Sequence, residues 1–364
     1  MTRVLLAGGG TAGHVNPLLA VADELQRTTH CSATDIVVLG TKEGLESRLV
    51  PQAGYTLVTV PRLPLPRRFG AAAITFGPRF VGAVITALGH IRKHRADVVA
   101  GFGGYASAPA YVAARLARVP IVIHEANAIP GFANRLGARF TSRIATAFPN
   151  TPLGSARVIG MPVARRISHP DRAPSAPKAR AHFGLESKRK TLLVTGGSQG
   201  ARSINNTLVQ CWPEIVDEGW QVLHIVGPKN ALPAEAPGYV PLAYCDRMDL
   251  AFAAADAIIS RAGAATVSEV NLVGLPAFFV PYAVGNGEQA VNATESVDAG
   301  AALLIPDSSF TPDTLRHTIL PILKDSARLS SMAKKSASLA RRDAASDCAQ
   351  MIIEASRTRA GGRS

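Results

Sequence analysis

The chain lacks the residue patterns that identify several classes of protein. Its four cysteines form no C-x-x-C pair, which excludes the usual zinc and disulfide frameworks and is typical of a reducing cytoplasm. No D-x-D motif occurs, which argues against a metal–diphosphate clamp held by paired aspartates. Aromatic residues make up 5% of the chain and form no stacking motif, which weighs against a nucleic-acid-binding module. We therefore expect no metal, no cofactor and no nucleic-acid partner.

The N-terminus shows no basic n-region, apolar h-region and cleavage site, so we expect no signal peptide. The chain has 364 residues, of which 47% are apolar, and this predicts a folded protein with two domains rather than one. Acidic residues are scarce in the first half, where residues 1–180 carry 22 Lys and Arg against 8 Asp and Glu. This imbalance predicts an anionic surface or partner for the first half: membrane headgroups, nucleic acid or a phosphorylated substrate.

The opening stretch reads as strand, glycine turn and helix. An apolar run over 4–7 enters Gly8, Gly10 and Gly13, which satisfy the G-x-G-x-x-G pattern. Glycines allow the backbone to approach a ligand, and the following helix directs its N–H groups at the turn, so the junction suits a phosphate. His14 is unusual, because a dinucleotide fingerprint needs no imidazole there. It is either a helix-cap residue or a base or phosphate contact.

Apolar strands alternate with helix patterns along the whole chain, which predicts two parallel sheets covered on both faces. A proline-punctuated stretch from Pro149 to Lys190 separates them. Glycine or polar turns follow several strands, at the edge where ligands of such sheets bind. The predicted strands are 4–7, 36–40, 56–60, 97–100, 121–123, 144–147 and 158–159 in the first half, and 191–195, 221–226, 257–260, 276–280 and 302–305 in the second.

In the second half, a strand ending at Ser260 leads through Gly263 into a helix that carries Glu269 one to two turns in. The helix N-terminus suits a diphosphate, and the carboxylate suits a pair of ribose hydroxyls. The alternative is a solvated helix carboxylate, the commoner case for an isolated Glu.

Six motifs appear in an order that resembles the MurG family of cell-wall N-acetylglucosaminyltransferases. They are Gly9-Gly10-Thr11-Ala12-Gly13-His14, Gly101-Phe102-Gly103-Gly104-Tyr105, His124-Glu125-Ala126-Asn127, Gly196-Gly197-Ser198-Gln199-Gly200-Ala201, Arg261 to Glu269, and Glu288-Gln289-Ala290-Val291-Asn292-Ala293. The resemblance implies a GT-B fold, in which two tandem Rossmann-like doubly wound parallel sheets face a cleft. It implies an acceptor- and membrane-facing domain over 1–163, with a C-terminal helix at about 343–357 packed back on it, and a UDP-sugar-binding domain over 164–342.

The resemblance also implies inverting transfer of N-acetylglucosamine from UDP-N-acetylglucosamine to muramoyl-pentapeptide diphosphate-undecaprenol at the cytoplasmic face of the membrane. His14 is the candidate base, with acceptor-diphosphate binding as its alternative role, and Glu125 is the second candidate, with helix orientation or folding as its alternative. The implied substrate-binding residues are Thr11, Ala12, Gly13, Gly103, Gly104, Tyr105, Asn127, Arg165, Ser198, Gln199, Cys245, Ala264, Ala265, Thr266, Glu269 and Gln289.

Three positions depart from the family pattern. Ala12 replaces a glycine, and Glu288 stands where a neutral or basic residue is common. Insertion of Ala164 displaces the diphosphate-contacting arginine by one, to Arg165.

The segment from Arg62 to Arg95 carries seven basic residues and no acid, interleaved with apolar side chains. Its longest stretch between arginines, Phe80 to Ile91, is too short to span a bilayer. It suits shallow insertion into an anionic inner leaflet, where a polyprenyl-linked acceptor resides. The alternative is that Val81 to Ile91 forms a core helix with a solvated basic end.

A nicotinamide-dependent oxidoreductase is the rival enzyme class, because Gly8, Gly10 and Gly13 match a dinucleotide fingerprint. That class expects an acid at the end of the second strand to bind ribose, but Gly40 and Thr41 stand there. The rival also leaves the motifs of the second half unexplained.

Overall fold

The computed structural model describes residues 2–28, 32–63, 71–169, 175–282 and 287–360. The chain divides into two compact units. The first contains residues 1–164 together with 343–364, and the second contains residues 165–342. Each unit is built on its own parallel sheet.

The first sheet has seven strands within the described ranges. They are Val4–Ala7 (β1), Ile36–Gly40 (β2), Thr56–Thr59 (β3), Val98–Gly101 (β4), Ile121–Glu125 (β5), Ile144–Thr146 (β6) and Arg157–Val158 (β7). Their spatial order is β3-β2-β1-β4-β5-β6-β7, and every neighbouring pair is parallel. The order reverses between β1 and β4, so the loops after these strands border the crevice at the carboxyl edge, where such sheets bind ligands.

The helices that follow these strands cover both faces of the first sheet. They are Ala12–Thr28 (α1), Glu46–Gln52 (α2), Ala71–Lys93 (α3), Ser107–Leu116 (α4) and Phe132–Gly137 (α5). Side chains alternate along β1, so that Leu5 packs in the core cluster with α3 and α4, and Leu6 packs in the cluster with α1. Burial on both faces explains why these strands are continuous apolar runs.

The second sheet is also parallel, with the order β10-β9-β8-β11-β12-β13 for its described strands. Those strands are Lys190–Thr195 (β8), Trp220–Ile225 (β9), Tyr239–Leu242 (β10), Ala257–Ser260 (β11), Ala277–Phe279 (β12) and Ala302–Leu304 (β13). Of these six strands, only β10, which contains Pro241, is not predicted from the sequence. An edge strand tolerates proline because one of its sides needs no ladder hydrogen bonds.

The second unit contains ten described α-helices and a π-helical turn at Leu315–Ile319. The helices are Arg165–Ser168 (α6), Ala176–His182 (α7), Arg202–Asp217 (α8), Met248–Ala254 (α9), Ala264–Val273 (α10), Glu288–Asn292 (α11), Thr294–Asp298 (α12), Pro312–Thr314 (α13), Leu320–Lys324 (α14) and Ser326–Ser338 (α15). Helix α10 begins after Gly263 and ends at Gly274, whose left-handed conformation suits a residue without a Cβ.

The last helix, Ala344–Ala360 (α16), belongs to the first unit. Its buried Cys348 and Ile352 join the core cluster formed by α1 and β1. The chain therefore leaves the first unit near residue 164 and returns to it at residue 343.

Helix α3 contributes one face to the core and exposes another. Ala83, Val84 and Ile91 are buried, whereas 57% of Val81 and 63% of Ile85 are exposed. The core-helix interpretation is therefore confirmed for one face. In the described part of the chain, no helix is long and apolar enough to cross a membrane. Residues 64–70, which contain four of the apolar and basic positions of this segment (Leu65, Arg67, Arg68 and Phe69), lie outside the described residues.

Candidate active site

Two glycine loops meet at the carboxyl edge of the first sheet. Gly103 and Gly104, after β4, have φ angles of +89° and +81°. A Cβ at Gly104 would overlap the carbonyl oxygen of Gly9, so the loops approach more closely than any side chain would permit. Tyr105 lies beside this contact, with the Arg62 guanidinium 5.4 Å from the centre of its ring. Three predicted positions of the second motif therefore border the first loop.

His14 lies in the first turn of α1 and is half-buried beside Gly103. A Cβ on Gly103 would be 3.1 Å from the His14 Nε2 atom. The Nδ1 atom lies 3.1 Å from the Gly9 carbonyl oxygen and 3.3 Å from the Thr11 hydroxyl. A carbonyl oxygen only accepts hydrogen bonds, so Nδ1 carries the proton and Nε2 carries the lone pair. This tautomer presents the basic nitrogen at the Gly103 side.

Thr11, Ala12 and Gly13 form the entry to α1 that precedes this imidazole. Thr11 is exposed, and its carbonyl accepts the backbone N–H groups of His14 and Val15. Ala12 takes its place in the first helical turn without distortion, since alanine is a good helix former.

Glu125 ends β5 and is 3% exposed. Its carboxyl oxygens accept hydrogen bonds from the backbone N–H groups of Asn127 (2.9 Å) and Gly131 (3.0 Å) and from the Asn134 side chain (2.9 Å). Burial raises the pKa of Glu125, and these three donors oppose that rise. The contacts favour its alternative role, helix orientation or folding, because the carboxyl group binds both the segment that carries Asn127 and the start of α5.

Glu46 is completely buried behind the first glycine loop, and it is not among the site residues predicted from the sequence. It accepts a hydrogen bond of 2.7 Å from the backbone N–H of Gly10, and two more from the N–H and hydroxyl of Thr41. No local pattern marks this residue, since it lies 36 positions from its Gly10 partner.

In the second unit, the N-terminus of α10 brings together Ala264, Ala265, Thr266 and Glu269. Glu269 follows Ala265 and Thr266 by four and three residues, so all three share one helix face. Glu269 is partly exposed, yet desolvation raises the pKa of its carboxyl group to about 7. The group is therefore half protonated near neutral pH, unlike a fully solvated helix carboxylate.

The loop after β8 exposes Ser198 and Gln199. The Asn230 amide donates to the Gln199 carbonyl oxygen (3.2 Å) and to that of Val226 (3.0 Å). A Cβ at Gly200 would overlap the Val226 carbonyl oxygen, so a glycine is required for this close approach. The loop is thus fixed to the neighbouring strand while its two polar side chains stay accessible.

Arg261, directly after β11, organises the edge of the second sheet. Its Nη1 donates to the carbonyl oxygens of Val280 (3.0 Å) and Pro281 (3.2 Å) and to Asp307 (2.6 Å), and its Nη2 to the Ser203 hydroxyl (3.0 Å). It also lies 5.4 Å from the ring centre of Tyr282. This buried guanidinium joins the segment after β12, Asp307 and the start of α8, a role that the sequence motif did not reveal.

Gln289, in α11, is coupled to the same edge. Its side-chain oxygen accepts the backbone N–H of Tyr282 (2.9 Å), the residue after Pro281. The amide NH₂ is therefore the group of Gln289 that could donate to a sugar hydroxyl.

Two further predicted site residues, Cys245 and Arg165, also lie in the second unit. Cys245 follows β10 as a buried free thiol, and burial raises its pKa. Arg165 begins α6 at the start of the unit. Among the described residues, no group of three or more His, Cys, Asp or Glu side chains could hold a metal ion.

Similarity to known proteins extends over both units of the chain. The glycosyltransferase family 28 N-terminal domain matches residues 4–146, and the family 28 C-terminal domain matches residues 191–348. A protein of Clavibacter michiganensis is 54% identical over 98% of this chain and 97% of its own length, and one of Streptomyces coelicolor is 49% identical over 98% and 99%. Both are named UDP-N-acetylglucosamine–N-acetylmuramyl-(pentapeptide) pyrophosphoryl-undecaprenol N-acetylglucosamine transferase.

The crystal structure of Acinetobacter baumannii MurG matches with a TM-score of 0.78 and 31% identity, covering 97% of this chain and 100% of that one. The chain belongs to the MurG family of glycosyltransferases. This membership confirms the predicted α/β fold with two Rossmann-like parallel sheets and the glycosyltransferase class. It favours transferase chemistry over the nicotinamide-dependent alternative. A kitacinnamycin glycosyltransferase structure, 18% identical with a TM-score of 0.69, shares the fold.

Proposed function

We propose that this chain transfers N-acetylglucosamine from UDP-N-acetylglucosamine to muramoyl-pentapeptide diphosphate-undecaprenol, which converts lipid I to lipid II in peptidoglycan synthesis. The observation that carries the proposal is the 49–54% identity, over nearly the full chain, to relatives that bear the name of this transferase. The chemistry of the two sheet edges supports it, because each edge suits a different part of the reaction.

The donor is assigned to the second unit. The N-terminus of α10 carries a positive dipole end that favours a diphosphate, and Glu269 on its face suits the ribose hydroxyls. The exposed Ser198 and Gln199 are assigned to the diphosphate, the Gln289 amide to the sugar, and the backbone near Cys245 to the uracil. Arg165 is assigned to the diphosphate. It lies one position beyond the family's diphosphate-contacting arginine, because Ala164 is inserted before it, and it is proposed to make the same contact.

The proton transfer is assigned to His14 of the first unit. The acceptor hydroxyl attacks the anomeric carbon in line with the departing UDP, a new C–O bond forms, and the electron pair of the broken C–O bond leaves with the diphosphate. His14 Nε2 takes the hydroxyl proton, a role for which an imidazole is suited because it exchanges a proton near neutral pH. Thr11, Ala12, Gly13, Gly103, Gly104, Tyr105 and Asn127 are assigned to the surrounding substrate contacts.

The protein is proposed to act at the cytoplasmic face of the cell membrane as a peripheral enzyme. Val81 and Ile85 form an exposed apolar strip on α3, and exposed Arg79, Arg92 and Lys93 lie on the same helix. Apolar side chains flanked by cations suit shallow insertion into an anionic leaflet. Such docking places the enzyme beside a lipid-linked acceptor, and no nucleic-acid partner is proposed.

The decisive assay measures UDP release by the full-length protein from UDP-N-acetylglucosamine, with and without the lipid-linked muramoyl-pentapeptide acceptor. We expect release that depends on the acceptor, together with labelled sugar in the lipid product. UDP-glucose serves as the control donor and should give a much lower rate. Absence of release with both substrates present, together with binding of a nicotinamide cofactor, would favour the oxidoreductase alternative.

A further inference from the structure

Glu46 is a completely buried carboxylate with three hydrogen-bond donors around it. Gly10 N–H donates to Oε2 at 2.7 Å, and the N–H and hydroxyl of Thr41 donate to Oε1 at 2.8 and 2.7 Å. No Lys or Arg of the described ranges forms an ion pair with it. Burial of a charge is costly without compensation, so these donors and the loops that carry them are held firmly in place.

Three glycines make room for this side chain. A Cβ at Gly9, Gly40 or Gly44 would overlap the Glu46 side chain, so the loops after β1 and β2 close tightly around it. The carboxylate consequently has little freedom to move away from the Gly10 N–H.

The Gly10 N–H and the Gly9 carbonyl belong to one peptide group. In a trans peptide these two bonds point in opposite directions, and the described chain contains no cis peptide bond. One end of the group therefore faces Glu46 at 2.7 Å, and the other faces the His14 Nδ1 atom at 3.1 Å. The result is a continuous series of carboxylate, peptide group and imidazole.

We propose that Glu46 is a positioning residue for the catalytic base, acting through the Gly9–Gly10 peptide group to orient the His14 imidazole and fix its proton on Nδ1. The role of His14 as the base rests on the proposed function. The carboxylate polarises the peptide group, which strengthens the hydrogen bond that its carbonyl accepts, because successive hydrogen bonds reinforce each other. In serine hydrolases an aspartate orients a histidine directly, whereas here a peptide group stands between the two side chains.

The negative charge of Glu46 also favours the protonated imidazole. Other ionisable groups near this corner include Lys42 and Glu43, which follow Thr41 in the chain, Glu125, which accepts a hydrogen bond from Asn134, and Tyr105, which lies beside Arg62. Glu46→Gln changes only one of these charges. A glutamine has a single acceptor oxygen, so it cannot serve the donors of both Gly10 and Thr41.

The test is nitrogen-15 NMR of histidine-labelled full-length protein without substrates. In the unchanged protein we expect His14 to carry its neutral-form proton on Nδ1. In Glu46→Gln we expect the pKa of His14 to fall by about half a unit to one unit, because a nearby negative charge is lost. Thr41→Val is the matched control: it removes one donor to the same carboxylate but keeps the charge, and should move the pKa of His14 by less than ~0.2 unit.

Kinetics supply a second readout. We expect Glu46→Gln to lower kcat on the order of tenfold, with a nearly unchanged KM for the donor, and to shift the acid limb of the kcat/KM profile to lower pH. An unshifted His14 pKa in Glu46→Gln, or an equal shift in Thr41→Val, overturns the proposal. If Glu46→Gln does not fold, the tautomer in the unchanged protein decides, because a proton on Nε2 contradicts the proposed series. The NMR result stands even if His14→Ala retains turnover, an outcome that removes only the base assignment.

Discussion

The carboxyl edges of the two sheets share a topology but are stabilised by buried charges of opposite sign. In the first unit, Glu46 and Glu125 accept hydrogen bonds from backbone N–H groups of the loops. In the second unit, Arg261 donates to backbone carbonyls of the loop after β12. The same architectural problem, fixing irregular backbone at a sheet edge, therefore has two electrostatic solutions.

The difference in sign fits a division of chemical labour. A negative charge behind a loop favours a proton on the imidazole in front of it, which suits a base that must receive one. At the second edge, where Arg261 is paired with Asp307, the positive dipole end of α10 favours an anion, which suits a diphosphate that leaves with an electron pair. The predictions below test whether each edge serves one of these tasks.

The largest effect is expected at the first edge. His14→Ala removes the proposed base, so kcat should fall about 10³-fold while donor KM changes less than about threefold. Initial rates of UDP release measure both constants. Asn16→Ala is the control, because Asn16 is exposed and lies two residues after His14 in the same helix, and this variant should retain near-normal turnover. An unchanged turnover number in His14→Ala would contradict the base assignment.

At the second edge, Arg261→Lys should destabilise the protein by about 2 kcal/mol, because one ammonium cannot reach both carbonyls, Asp307 and Ser203. Urea denaturation measures the change. Arg316→Lys is the control: its pairing with Glu214 is more exposed, at 38% for each side chain, and the loss of stability should be much smaller than for Arg261→Lys. Equal losses of unfolding free energy in the two variants would show that the buried Arg261 network contributes no more to stability than the exposed Arg316–Glu214 pair.

Much of the framework behind this comparison could be predicted from the sequence. Strand and turn signals are local, since an apolar run followed by glycines predicts a strand entering a loop, and twelve strands lie within two residues of their predicted ends. Both edges also carry candidate residues, including His14 and Glu269, in the helices that follow the glycine turns, as the sequence predicts. The short edge strand β10 was missed because Pro241 weakens its pattern.

The buried charges that fix the loops could not be predicted in the same way. Glu46 contacts Gly10 across 36 positions, and Arg261 contacts Asp307 across 46, so both contacts exist only once strands are paired. In the sequence alone, Glu46 is one of several polar residues in a short predicted helix. Glu125 is different, since its donors lie two, six and nine residues away, and its orienting role was among the alternatives predicted from the sequence.

The pH dependence of donor binding would sharpen the assignment of the second edge. Desolvation raises the pKa of Glu269 to about 7, so its carboxyl group is mostly protonated at pH 6 and mostly ionised at pH 8. The ionised form accepts both ribose hydrogen bonds, and the donor KM should therefore fall as pH rises through 7. Glu269→Gln should raise donor KM about tenfold at pH 8 and abolish this pH dependence.

Protein stability provides a second measurement for the same group. A carboxyl group whose pKa is higher in the folded than in the unfolded state stabilises the fold while it is protonated, and this contribution is lost as pH rises from about 4.5 to about 7. Without donor, the free energy of unfolding should therefore decline over this interval relative to Glu269→Gln. A difference that does not change with pH would contradict the raised pKa.

The smallest expected effect concerns the exposed apolar strip of α3. It tests whether the first unit has a membrane-binding surface in addition to the carboxyl edge of its sheet. Val81→Ser combined with Ile85→Ser should weaken co-sedimentation with anionic vesicles a few-fold, because two exposed apolar side chains would no longer enter the leaflet. Stability should change little, since neither side chain is in the core. The control is Val209→Ser, which removes an exposed valine from α8 of the second unit and should leave vesicle binding unchanged. If the unchanged protein binds neither anionic nor neutral vesicles, the strip has no membrane role, and the apolar residues of α3 serve only the core.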